Sequence, residues 1–125
     1  MVVAACPCLS GLPYDECCGM FHRGDAAAPT AERLMRSRYS AFVVGDVDYL
    51  LATWHPSTRQ AMLELDPEVR WYRLAIVRRE KGGLLENRGI VEFDASYRSP
   101  DGPGVQHGVS SFVRETGSWF YLDEI

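Results

Sequence analysis

All four cysteines of the chain fall within CPCLSGLPYDECCGMFH, residues 6–22. The spacing is Cys6-x-Cys8, eight intervening residues, then Cys17-Cys18. Two thiol pairs joined by a short loop match what a structural zinc ion requires: four soft donors in a tetrahedron, sulfur about 2.3 Å from the metal. Four sulfurs also close the shell against water and substrate, so such a site is structural. Pro7 stiffens the first pair, Gly11 and Pro13 bring turn chemistry to the loop that must fold back, and Gly19 frees the backbone after the second pair. Neighbouring side chains on an extended strand face opposite ways, so Cys17 and Cys18 must lie in a turn or at a helix start. His22 is near enough in sequence to replace a cysteine that turns away, or to stand behind the ligands as a supporting group. A pair of disulfides, reduced thiols without metal and an iron–sulfur cluster would draw on the same four residues, although the tight spacing leaves little room for a cluster.

The rest of the chain must hold that segment in place. At 125 residues it has the length of one domain, enough to bury roughly two thirds of its unfolded surface without cross-links. No apolar run approaches the roughly 20 residues that span a bilayer. A net charge of −4 argues against nucleic acid, whose phosphates select clustered Lys and Arg. Arg23, Arg33, Arg36 and Arg38 gather early, but Asp15, Glu16, Asp25 and Glu32 cancel them within the same segment. Val3-Ala4-Ala5-Cys6 has the outline of a lipoprotein cleavage box, yet the two residues before it leave no basic or apolar leader. The expectation is a soluble cytoplasmic protein with neither nucleic acid nor membrane as partner. In that reducing compartment clustered cysteines serve as metal ligands more often than as disulfides.

From Thr30, a candidate N-cap, to Gly45, a candidate stop, the spacing of Leu34, Met35, Arg38, Tyr39, Phe42 and Val43 predicts one apolar helix face. Arg38 stands inside that stripe, where a permanent charge needs a carboxylate, backbone carbonyls or an anionic ligand. Asp46 to Trp54 predicts a second helix with Val47, Leu50, Leu51 and Trp54 on its buried side, ended by His55-Pro56. STRQAMLEL, residues 57–65, predicts a short third one. After Pro67 the period falls to two: VRWYRLAIVRRE, IVEFDASYR, VQHGVSSFVRE and SWFYLDEI read as four strands. Short turns join them at Lys81-Gly82-Gly83, at Asp101-Gly102-Pro103-Gly104 and at Thr116-Gly117, which implies an antiparallel meander and an α+β body. The expected division is a metal-binding segment over residues 1–28 and the α+β domain over residues 29–125.

CPCLSGLPYDECCG resembles the SEC-C motif, the short zinc-binding segment at the end of the SecA translocation motor, whose usual form is CPCGSG, a few residues, Tyr, then Cys-Cys or Cys-His. The resemblance implies Cys6, Cys8, Cys17 and Cys18 as ligands and does not select His22. Leu9 stands where the motif usually has glycine, and a left-handed backbone there would strain it. PTAERLMRSRYSAFVVGDVDYLLATWHPSTR is similar to the YchJ-like bacterial family, in which a SEC-C segment precedes an NTF2-like domain. This implies a cystatin-related cone of about three N-terminal helices on a curved four-stranded antiparallel sheet, behind a small zinc knuckle. The C-terminal third departs from the family pattern at Gly108-Val109-Ser110, in place of a Glu-Arg-Ser-type run, and at Glu124, in place of glycine.

The family implies an architecture and no reaction, so two functional readings stand. One is a binding or adaptor module that presents its knuckle to a protein partner, as the SecA analogy suggests. The other is a small-molecule binder or enzyme that uses the pocket of the cone, with Arg38, Tyr39, Trp54, His55, Trp71 and His107 as candidate lining. Glu92 and Asp94 are weaker candidates, because Val91, Phe93, Ala95 and Tyr97 take the apolar parity of their strand. The chain shows no phosphate-binding glycine loop, GxSxG elbow or HExxH helix. A homodimer through the sheet would use Ile90, Val109 and Trp119.

Overall fold

The computed structural model describes residues 4–125. Residues 1–3 of the expected N-terminal segment, including Val3 of the cleavage-box reading, lie outside the described residues. A single 3₁₀ turn, Tyr14–Glu16, leads into helix α1, Cys18–His22. Helices α2, Ala31–Val44, and α3, Val47–Ala52, follow. The sheet is built from β1, Arg70–Lys81, β2, Arg88–Ser99, β3, Gly102–Glu115, and β4, Ser118–Glu124. Among the described residues no helix is long and apolar enough to cross a membrane.

Both ends of α2 are written in its sequence. Thr30 Oγ1 accepts a hydrogen bond from the Arg33 amide at 3.1 Å, and Gly45 closes the helix at φ +79° with its amide on the Ala41 carbonyl. Asp46 caps α3 in the same way through the Tyr49 amide. That helix ends at Ala52, two residues short of the expected Trp54. Side chains share its last carbonyls with the backbone: Leu50 O accepts from Arg38, and Tyr49 O accepts from both the amide and the hydroxyl of Thr53. The chain then turns out to pair Trp54 with Tyr121 on β4.

The expected helix over residues 57–65 is absent: the segment is irregular, and of its residues only Leu63 and Leu65 are partly covered. Nine residues without a continuous buried stripe fall below the length at which propensity alone sustains a helix. The third helix is instead α1, inside the cysteine segment.

The sheet is an antiparallel meander in the order β1-β2-β3-β4. Irregularities at Trp71/Arg73 and Ile76/Arg78 in β1 and at Ser111/Phe112 in β3 bend it. Val91, Phe93 and Ala95 are buried against the helices, and Glu92 and Asp94 point to the opposite face. Phe21, Ala31 and Leu34 meet Val91, Phe112 and Trp119 in the main core, and Tyr39, Leu74, Phe93 and Ala95 form a second cluster beside it. Trp119 is therefore a core residue, 3% exposed, with its indole N–H on the Pro29 carbonyl. It cannot serve as an outer-face dimer contact.

Candidate functional site

The loop between the cysteine pairs folds back as a small hairpin. The Cys6 amide donates to Leu12 O at 3.0 Å, and the Tyr14 amide to Ala4 O at 2.9 Å. A turn closed by the Leu9 amide on Cys6 O puts Leu9 at φ +63°. Cys17 caps α1 and Cys18 begins it, which solves the problem of adjacent ligands. Gly19 is needed for close approach: a Cβ there would lie 2.7 Å from the Tyr14 carbonyl oxygen. All four cysteines are free and at most 3% exposed, and their Sγ atoms lie within 4.8 Å of one another. Cys8 and Cys17 are 3.7 Å apart, close to the edge of about 3.8 Å that a tetrahedron of about 2.3 Å metal–sulfur bonds requires. The donors surround a space suited to one ion.

Electrostatics point the same way. The Cys8 thiol is pulled down to about 4, chiefly by a hydrogen bond from Cys18, while that same bond and then burial push Cys18 up. Burial, ahead of the Cys8 charge, raises Cys17 as well. One thiolate is therefore accommodated and further ones are opposed, so ionising the whole set takes a positive charge at its centre. The donor set fits a thiolate-preferring, tetrahedral cation.

The segment is docked on one side of α2. The Ser40 hydroxyl lies 3.7 Å from Cys6 Sγ, and Arg36 Nη1 donates to Cys8 O at 2.9 Å. His22 is not among the clustered donors. Its Nε2 donates to the Ser37 carbonyl at 2.8 Å, and its Nδ1 lies in hydrogen-bond contact with Tyr14 Oη at 2.5 Å. Ser37 Oγ continues the network to Tyr49 Oη at 2.7 Å, and Ser10 Oγ reaches Cys17 Sγ at 3.2 Å. Ser37 and Ser40 are fully buried. They escape a reading that counts apolar positions, although small polar residues three apart on a helix are the signal of a close-packed second face.

The other side of α2 faces a cavity of about 300 Å³ against the sheet. Arg38, Tyr39, Trp54 and Trp71 line it, with Phe93, Ser110 and Glu124 from the strands. Arg38 bonds through Nη1 to Leu50 O and Thr53 Oγ1, both at 2.7 Å, and stacks 4.6 Å from the Tyr121 ring centre. Burial lowers its guanidinium to about 10, which leaves it cationic at neutral pH. Tyr39 Oη and Trp54 Nε1 are buried without a partner among the described residues. Glu124 Oε1 accepts from Ser110 Oγ at 2.5 Å, and a Cβ on Gly108 would lie 3.0 Å from Glu124 Oε2. Gly108 and Glu124, two separate departures in sequence, thus lie together in space: the missing side chain leaves room first for the Phe93 ring, 2.7 Å from that Cβ, and then for the carboxylate.

Neither candidate histidine lines the cavity. His55 bonds Ser57 and, at the end of β3, Glu115. His107 lies on the outer sheet face between Asp94 at 2.6 Å and Glu92 at 2.9 Å, and the hydrogen bond to Asp94 is the main cause of its raised pKa.

Residues 4–19 match the SEC-C motif, and residues 30–124 match the family described as YchJ, middle NTF2-like domain. A UPF0225 protein of Streptomyces coelicolor is 52% identical over 123 residues, covering 98% of this chain and 96% of its own. Another from Chromobacterium violaceum is 47% identical over 123 residues, covering 95% and 90%. Among solved structures, a SEC-C motif containing protein from Rhodopseudomonas palustris superposes with a TM-score of 0.83 at 31% identity, covering 96% of both chains. One from Psychrobacter arcticus gives 0.78 at 33% identity, covering 94% of this chain and 80% of that one.

Proposed function

The chain belongs to the YchJ family, a SEC-C motif joined to an NTF2-like domain, and on that premise we propose that Cys6, Cys8, Cys17 and Cys18 hold one structural zinc ion. The observation that carries this reading is the convergence of four buried sulfurs within 4.8 Å. That spacing suits one ion and crowds out a cluster, and four thiolates select a soft tetrahedral metal such as zinc over hard cations. Zinc bound there would leave no open coordination position, so its contribution is to fold the knuckle against α2. In peptides that fold only around zinc, such binding is worth on the order of 10 kcal/mol of folding free energy.

In this reading the protein is a cytoplasmic binding module. The tip of the knuckle loop supports a protein partner there, since Leu9 and Leu12 are 57% and 47% exposed on it. A photo-crosslinker at position 12 should give partner adducts in cells that one at the fully exposed Leu85 does not; equal yields from both would remove the partner reading.

The metal is tested by elemental mass spectrometry on protein purified without added zinc, with thiols counted before and after chelation. The expected result is close to one zinc per chain and four thiols that become reactive together. Protein with neither metal nor free thiols would be disulfide-linked, iron with acid-labile sulfide would mean a cluster, and four reactive thiols before chelation would mean no metal. Each of these outcomes overturns the proposal.

A further inference from the structure

The sulfur shell is not finished within the cysteine segment. Four thiolates around a divalent cation leave the site with net negative charge, and the cysteines that supply them are sealed from water, each at most 3% exposed. A buried anionic shell needs hydrogen-bond donors aimed at its sulfurs. Two hydroxyls meet them: Ser10 Oγ lies 3.2 Å from Cys17 Sγ, and Ser40 Oγ lies 3.7 Å from Cys6 Sγ. Ser10 belongs to the knuckle loop itself. Ser40 comes from α2, 34 residues along the chain from Cys6.

Ser40 is 0% exposed, and its surroundings leave its proton for sulfur. A buried serine within a helix commonly turns its hydroxyl onto a carbonyl of the preceding turn, as Ser37 does with Leu34 O at 2.8 Å. Among the described residues Ser40 Oγ has no such oxygen partner, and its contact is with Cys6 Sγ. Between a hydroxyl and a thiol either atom can give the proton; a metal-bound thiolate has none, so there the hydroxyl donates. One turn earlier on α2, Arg36 Nη1 donates to Cys8 O at 2.9 Å while its Nε holds Glu32 at 3.0 Å. The Cys6-x-Cys8 arm is thus fixed from the body of the protein at one sulfur and at its backbone.

On the zinc reading above, we propose that Ser40 is a positioning residue of the metal centre: its hydroxyl donates to the Cys6 thiolate, holds that ligand in the shell and raises the affinity of the chain for a soft divalent cation. The shell is then complete only when the knuckle is docked on α2. Hydrogen-bond partners behind metal ligands typically contribute about 10–100-fold in affinity, and one neutral donor belongs at the lower end of that range.

The test compares the full chain with Ser40→Ala and with a matched control, Ser37→Ala. The control removes an equally buried hydroxyl three residues away, bonded to Leu34 O and Tyr49 Oη and not to sulfur. Zinc affinity is measured by competition with a chromophoric chelator, and the thiolate-to-metal charge-transfer band is recorded on cobalt-loaded protein. Ser40→Ala should weaken zinc about tenfold and move the band to longer wavelength, because a thiolate that loses a hydrogen bond holds its electrons less tightly. Ser37→Ala should lower the denaturation midpoints of metal-free and metal-loaded protein alike, with affinity and band unchanged. If Ser40→Ala instead loses stability in both forms while affinity and band stay in place, its role is packing alone and the proposal is overturned. Equal losses of affinity from the two variants overturn it as well, since any loosening of α2 would then suffice. A parent that binds no metal removes the zinc reading and this one together. One zinc per parent chain, held as tightly by Ser40→Ala, leaves the zinc reading standing and removes only this one.

Discussion

Leu9 occupies a left-handed backbone conformation at φ +63°, with its side chain 57% exposed. An L-residue pays about 1–2 kcal/mol for that conformation, partly balanced by the extra freedom that glycine has in the unfolded chain. Leu9→Gly should therefore stabilise the protein by about 0.5–1 kcal/mol, read as a higher denaturant midpoint at unchanged slope, and should leave metal stoichiometry as it was. His107 offers a second test at this scale. Its hydrogen bond to Asp94, with Glu92 beside it, raises its pKa above the ordinary value of about 6.5. A group whose folded pKa is raised contributes stability that is complete below the unfolded value and is lost as pH rises through the folded one. The His107 ring should titrate by NMR with a midpoint above 6.5, returning toward that value in Asp94→Asn. Stability should also fall slightly from pH 6 to pH 8 in the parent, and less so in His107→Gln.

Among the elements, the seam between α2 and the β1–β2 hairpin is the least forgiving. The Ala31 amide donates to Gly82 O at 3.0 Å, and a Cβ on Gly89 would lie 2.7 Å from Gly82 Cα and 3.0 Å from Ala31 Cβ. Backbone cannot yield as a side-chain tip does, so Gly89→Ala should cost about 2 kcal/mol, measured by equilibrium denaturation. Caps and strands were legible in the sequence because their signals are local: Thr30, Gly45 and Asp46 close helices, and Val91, Phe93 and Ala95 alternate. The cysteine cluster was legible because its spacing is its chemistry. Residues 57–65 misled because helix propensity was present without a face to bury. His107 misled because its stretch of β3 reads Gly108, Val109, Ser110, which gives no apolar parity by which to assign a face. Ser37, Ser40 and Glu124 were out of reach because their roles depend on what packs opposite, and in particular on the pairing that sets Ser110 against Glu124.

At the scale of the whole molecule, α2 separates two sites. Ser37 and Ser40 face the cysteine segment, while Arg38 and Tyr39, next to them in the chain, face the cavity. Adjacent residues on a helix cannot move independently, so a shift or roll that tightens one side displaces the other by a similar amount. On the reading that an ion sits at the cysteines, this makes the helix a thermodynamic link between that ion and whatever occupies the cavity. Whatever factor the ion contributes, by ordering α2, to the affinity for a molecule held in the cavity, that molecule must return to the affinity for the ion. A cell that withheld the metal would thereby loosen the protein's hold on a molecule that never touches it.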